Sequence, residues 1–168
     1  MSDVVIGKGK LAGKGVYAAR DFKEKELVMS YRLKELTQDE FNALPISEHM
    51  FTHSFWGKIY LYPEPARYVN HSAKPNTRQD FKMTSDYAIR PIKKGELITT
   101  NGTVEIQNEL KTFLEIYEEA SISGLHWLKI GYRNAVCSYT YRGVKKVLTL
   151  KRINGNWRVM NEHLSKKT

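Results

Sequence analysis

Residues 67–77 read RYVNHSAKPNT and crowd Asn70, His71, Ser72, Pro75 and Asn76 into one irregular stretch. Amide, imidazole and hydroxyl groups can hydrogen-bond one another and a polar ligand, while Pro75 fixes the backbone at one point. Upstream, residues 11–18 read LAGKGVYA; Gly13 and Gly15 would let backbone amides and carbonyls approach a ligand closely, because no side chain stands in the way. Taken alone, such a glycine pair before a strand reads as readily as a plain turn. A third stretch, AIRPIKKGELITTNG at residues 88–102, has the pattern of a strand, a turn and a strand. Metal and disulfide chemistry fit poorly. Cys137 is the only cysteine, and the five histidines lack the close spacing of a ligand pair. Cys137 itself reads as a small, inert residue packed in a strand.

In order, GKGVYA, NHSAKPN and IKKGELITTNG resemble the SET domain of protein-lysine methyltransferases, over about residues 4–104. The resemblance implies a mainly β fold with short helices and a knot-like crossing, S-adenosylmethionine as cofactor, and a protein substrate with an accessible lysine. It implies that the backbone around Lys14, Gly15 and Val16 contacts the methionine part of the cofactor. Asn70 and His71 would hold the cofactor at the crossing, with Arg67 and Tyr68 flanking it. Tyr31 occupies a place where related domains often carry a tyrosine beside the substrate channel; a plain core residue is the other reading.

Two positions depart from the family pattern. Ala73 stands where many members have a cysteine that joins a zinc site completed by a cysteine-rich tail, so no zinc is expected. Asn101 stands before Gly102 where the family usually has a tyrosine. Methyl transfer needs a neutral amine in line with the sulfonium methyl, yet a free lysine has a pKa of about 10.4. The cofactor's positive charge and a dry aromatic channel both favour deprotonation. Asn101 can donate and accept hydrogen bonds but has no phenolic oxygen. A slow site, a rebuilt site and an inactive binding module therefore stay open, and Tyr117, Tyr132, Tyr139 and Tyr141 are the candidates for rebuilding it.

The elements that must position these groups follow from periodicity. Strands are expected at 16–19, 27–31, 58–62, 86–90 and 96–100, and Thr37 with Glu40 forms a capping box for a short helix that Pro45 stops. Ile106, Leu110, Phe113, Leu114, Tyr117 and Ala120 recur at three- and four-residue spacing and predict a helix. Beyond Gly124 the chain alternates, with Ala135, Cys137, Tyr139 and Tyr141 on one face, and Asn154-Gly155 signals a two-residue hairpin. The chain thus divides into a SET domain at 1–105 and, at 106–168, a small α+β appendage of one helix and an antiparallel meander. The run 149–165 faintly resembles the closing strands of nuclear-transport-factor-like domains. Only about half such a domain is present, so the piece must lean on the first domain or on a second copy, and a homodimer is expected.

Charge separates the same two parts. Residues 1–123 carry 17 Lys+Arg against 17 Asp+Glu, whereas residues 124–168 carry 10 against 1. That excess suggests an acidic partner, nucleic acid first, through Lys145, Lys146, Lys151, Arg152 and Arg158; a solvated basic face is the alternative. The opening MSDVVIGKGK lacks a secretory signal and no stretch approaches the roughly 20 apolar residues of a membrane span, so an intracellular, cytoplasmic protein without membrane contact is expected.

Overall fold

The structure is a computed structural model that describes residues 2–164. The elements run in chain order as β1 (Val4–Leu11), β2 (Lys14–Ala18), β3 (Leu27–Ser30), β4 (Lys34–Leu36), α1 (Gln38–Ala43), β5 (Thr52–Phe55) and β6 (Lys58–Leu61). There follow β7 (Asn70–His71), β8 (Thr77–Asp80), β9 (Ser85–Ala88), β10 (Thr99–Thr100), α2 (Gly102–Tyr117), β11 (Ser123–Ile130), β12 (Asn134–Tyr141), β13 (Val144–Ile153) and β14 (Asn156–Leu164). They form two compact units: residues 2–34 with Leu61–Gly102, and Glu35–Tyr60 with 103–164.

The first unit holds three small sheets. β1 and β2 pair as an antiparallel hairpin, β3–β9–β8 form a three-stranded sheet, and β7 runs parallel to β10. Val16, Ile92 and Ile98 are fully buried at its centre, with Phe22, Val28 and Ala88 beside them. A strand expected over 96–100 is only two residues long in β10. The residues before it turn their backbone toward β2 instead: Ala18 N–H donates to Glu96 O and Ile98 N–H to Val16 O. This switch of partner along one segment leaves Thr99 and Thr100 to pair with Asn70 and His71.

The second unit is built on α2 and a four-stranded meander, β11–β12–β13–β14. Leu110 and Leu114 of α2 are fully buried against Ala135, Cys137, Tyr139, Leu148 and Leu150, with Ile106 and Phe113 packed at the edge. The helix starts earlier than its apolar repeat predicts, at Gly102, and ends at Tyr117, while Ala120 falls outside it. Asn154 and Gly155 both adopt left-handed backbone (φ 48° and 78°), the geometry of the tight hairpin expected there. A Cβ at Gly155 would meet Phe41 at 3.0 Å and Ile59 at 3.1 Å, so the turn also lies close to α1 and β6. Around α1, the Thr37–Glu40 capping box forms as expected. The β4–β6–β5 sheet completes this part of the chain.

The unit boundary at Gly102/Thr103 lies close to the one expected near 105. Residues 35–60, expected within the first domain, pack instead with the C-terminal stretch. Tyr132 O–H reaches His49 O and Thr52 O, and Ser54 N–H donates to Glu109 Oε1 at 2.6 Å. Cys137 is fully buried, and burial pushes its thiol up to about 11. Of the run 149–165, Ser165 lies outside the described residues, as do Lys166 and Lys167 of the basic excess.

Candidate functional site

Asn70 is the centre of the site. Its side chain, in a residue 4 % exposed, accepts Lys10 N–H at 2.8 Å and donates to Lys14 O at 3.0 Å and to Tyr68 O at 2.8 Å. Both amide hydrogens are thereby used, so Asn70 fixes the backbone of three segments rather than offering its amide N–H groups to a ligand. Gly15 is needed for this closeness: a Cβ there would lie 2.9 Å from Leu97 Cδ1 and 3.5 Å from Asn70 Nδ2. Gly13 has a different role. With Ala12 it makes the left-handed turn between β1 and β2 (φ 51° and 76°), and a Cβ there would meet nothing.

Charged groups line the partly exposed rim of the Asn70 cradle. Lys14 Nζ lies 3.2 Å from Tyr68 O–H, 4.5 Å from the centre of the Tyr68 ring and 3.9 Å from Glu64, and Tyr68 O–H donates to Glu64 at 2.8 Å. The hydrogen bond to Tyr68 is the main reason that the Lys14 ammonium is held above its ordinary pKa, with the charge on Glu64 adding to it. Arg67 Nε donates to Tyr62 O at 2.8 Å. Cations and a carboxylate beside a fixed backbone suit an amino-acid zwitterion, the chemistry at the methionine end of S-adenosylmethionine. Val16 offers no side chain to a ligand: it is fully buried and its carbonyl is taken by Ile98.

His71 and Asn101 are neighbours. Thr100 pairs with His71 in the β7–β10 ladder, and Gly102 N–H donates to His71 Nδ1 at 2.9 Å, so both flanks of Asn101 are tied to one imidazole. Nδ1 is thereby the accepting nitrogen of this ring. Asn76, 1 % exposed, fastens the same strand: it donates to Leu97 O at 2.8 Å and accepts Thr99 N–H at 2.8 Å.

Tyr31 belongs to a second group. Its ring lies 5.6 Å from that of Tyr62, and Gln79 Nε2 donates to both phenolic oxygens, at 2.5 Å to Tyr31 and 3.1 Å to Tyr62. Gln79 Oε1 is buried and has no hydrogen-bond partner among the described residues. Sequence reasoning missed Gln79 and Tyr62. The available signal was the position of Gln79 in a strand soon after the NHSAKPN stretch, and of Tyr62 just before Pro63. The stretch 62–71 joins the two groups, since Arg67 is tied to Tyr62 at one end and Asn70 sits in the cradle at the other.

The tyrosines that were candidates for rebuilding the site are engaged within their own unit. Tyr117 O–H donates to Glu162, Tyr132 O–H to backbone carbonyls, and Tyr139 O–H to the buried Glu118. The Tyr141 ring carries Lys146 and Arg142 over its face. Among the described residues no group of three or more His, Cys, Asp or Glu is placed to hold a metal ion, and no helix is long and apolar enough to cross a membrane.

Among solved structures, the chain is similar to a Plasmodium falciparum protein assigned as a histone methyltransferase, at 20% identity and TM-score 0.47 over 60% of this chain and 93% of that one. It is also similar to a humanized mutant of the Chaetomium thermophilum Polycomb Repressive Complex 2, at 27% identity and TM-score 0.48 over 58% of this chain. It spans only 15% of that second chain. No curated protein matches it. A family model, "SET domain", matches residues 13–101, which takes in Gly15, Tyr31, Asn70, His71 and Asn101, and the chain therefore belongs to the SET-domain family.

Proposed function

We propose that the protein is an S-adenosylmethionine-dependent protein-lysine N-methyltransferase. Members of this family typically use that cofactor, and the neighbouring chains are described as histone methyltransferases or parts of a polycomb complex. The observation that carries the reading is the pairing of two sites on one stretch of chain. The Asn70 cradle with Lys14, Glu64 and Arg67 suits an amino-acid zwitterion, and the Tyr31–Gln79–Tyr62 group concentrates hydrogen-bond acceptors suited to an amine.

When bound, S-adenosylmethionine supplies an electrophilic methyl on a cationic sulfur. The protein's part is to strip water from a lysine side chain, favour its neutral form and aim its lone pair. Desolvation beside the Tyr31 and Tyr62 rings would disfavour the ammonium, and phenolic and amide oxygens would orient the N–H bonds. The proton that a lysine ammonium must lose before its lone pair can act would pass to solvent, and the methylated amine would leave as an ammonium.

A second reading, a non-catalytic cofactor- or peptide-binding module, draws on Asn101 and on the tail tyrosines already engaged elsewhere. One experiment separates the two. Calorimetric titration with S-adenosylmethionine is followed by transfer of labelled methyl groups onto a mixture of basic proteins. Saturable binding with label on protein supports the enzyme, binding without label supports the module, and absence of binding overturns the enzyme and the cofactor-binding form of the module. For an enzyme slowed by the missing phenol, Asn101→Tyr is expected to raise the labelling rate about ten-fold or more while leaving cofactor affinity within about two-fold. An unchanged rate would show that Asn101 is no handicap.

A further inference from the structure

The basic excess of the C-terminal stretch is divided between the two faces of the meander. Register assigns each side chain a face. Cys137, Leu148 and Glu162 share one row, and Tyr139, Lys146 and Leu164 another, all on the side packed by α2. Lys146 is therefore spent internally, 2.8 Å from Glu118 and 3.2 Å from Glu162. Arg152 shares that face, opposite Trp157, and is paired with Glu109 at 2.6 Å. These two of the five cations expected to meet a partner are thus unavailable.

The opposite face is built from Lys129, Lys145, Lys151 and Arg158, all exposed. None of the four makes an ion pair with a described residue. Glu162, the one acidic residue beyond position 123, lies on the α2 side, so this open face bears no carboxylate from the four strands. Between the cations stand Thr149 and Asn161, a directly paired hydroxyl and amide.

The spacing decides what such a face can bind. Lys145 and Lys151 are six residues apart on one strand, about 20 Å, and the four strands span about 14 Å across. That array is too broad for one phosphate group but matches a polyanion carrying charge along its length. The large aromatic residues, Trp127, Tyr139 and Trp157, lie on the α2 side, so the open face has only the His126 and His163 imidazoles to set against a base and no large aromatic anchor for a peptide. Exposed amide and hydroxyl groups between cations are the groups that contact phosphate oxygens. We infer that the open face of the β11–β14 sheet binds the phosphate backbone of a nucleic-acid duplex, independently of base sequence.

The test uses the full chain and fluorescence anisotropy with labelled 20-base-pair duplexes of DNA and of RNA, and vesicles containing phosphatidylserine as a separate arm. With four phosphates engaged, log affinity is expected to fall against log salt with a slope of about −3.6, so binding weakens on the order of a hundred-fold between 50 and 200 mM salt. The triple change Lys145→Gln, Lys151→Gln and Arg158→Gln is expected to cut affinity at least about ten-fold and bring the slope toward about −1. The same positions changed to Lys145→Arg, Lys151→Arg and Arg158→Lys keep the charge, and binding should persist. A control with the same charge loss elsewhere, Lys23→Gln, Lys82→Gln and Lys94→Gln, should retain most affinity. Preference for one duplex type identifies the source of the phosphates. Equal loss in both triple-Gln variants, an unchanged affinity in the first, or binding to vesicles with none to either duplex would each overturn the inference.

Discussion

Asn70→Ala is expected to weaken S-adenosylmethionine binding at least about a hundred-fold and to destabilise the protein by about 3 kcal/mol, on the order of 1 kcal/mol for each of three lost hydrogen bonds. The two effects have one cause. Asn70 ties Lys10, Lys14 and Tyr68 together, so its loss frees the β1–β2 turn from the stretch that carries Arg67 and His71. Asn70→Ala also leaves a backbone N–H and two carbonyls without their partner, and water must reach them or they remain unsatisfied. Urea denaturation gives the stability and calorimetry the affinity, both measured well below the midpoint so that folded protein is compared with folded protein. Cofactor affinity within a few-fold of wild type would mean that the cradle is only structural, and the assignment of the cofactor to this place would fail.

The second large effect belongs to Glu109. Its carboxylate is fully buried and receives Arg152, Ser54 N–H and His53, while the Arg152 side chain is only 5 % exposed and lies between the rings of Tyr132 and Trp157. Glu109→Ala leaves a buried guanidinium without its counter-charge, a loss of about 3–5 kcal/mol. The double change Glu109→Leu with Arg152→Met removes both charges and should recover much of that loss. Failure of the double variant to gain on the single one would show that the pair is not the source of the effect.

Protonation makes the same cluster sensitive to pH. Burial disfavours the His53 cation, but the charge on Glu105 and the hydrogen bond and charge of Glu109 outweigh it and raise its pKa above the ordinary 6.5. Its stabilising contribution is complete below about 6.5 and is lost as pH rises through the higher folded value. For Glu109, burial raises the carboxyl pKa, but His53 and Arg152 together hold it below the ordinary 4.5. Its contribution is present above about 4.5 and is lost as pH falls through the lower folded value. The cluster therefore favours folding most between these limits. Urea midpoints followed from pH 4 to 9 should decline on the alkaline side, and His53→Gln should flatten that decline; an unaltered profile in the variant would remove His53 as its cause.

Local signals in the sequence were readable where neighbouring residues decide the outcome. The Thr37–Glu40 capping box and the Asn154-Gly155 turn are both present, because each is closed by bonds or dihedrals within a few residues. The helix repeat placed Leu110 and Leu114 in the core but put the helix start at 106, since Val104, the one apolar residue of 102–105, is exposed and falls off the three- and four-residue repeat. The 96–100 segment has strand character throughout, yet changes partner between β2 and β7, and pairing over such distances leaves no local trace.

The site was legible through its motifs more than through its physics. Asn70 stood out, but its three partners lie 2, 56 and 60 residues away, and only the folded backbone reveals that its amide is consumed in holding them. Gln79 carries no signature of its own until it meets Tyr31 and Tyr62. Lys146 and Arg152 are different, because the strand period already contained the answer. Both share parity with Leu148 and Leu150, which alternation places on the packed face, so two cations counted toward an outside partner were spent inside.

Residues 35–60 and the stretch after Gly102 form a single unit although more than forty residues separate them in the chain. A splice, deletion or recombination event that removed everything after Gly102 would strip Ser54 of Glu109 and His49 of Tyr132, leaving an inserted segment with its inner polar groups unmatched. The two stretches thus depend on each other for their packing. A chimaera that borrows the tail from another protein must borrow 35–60 with it.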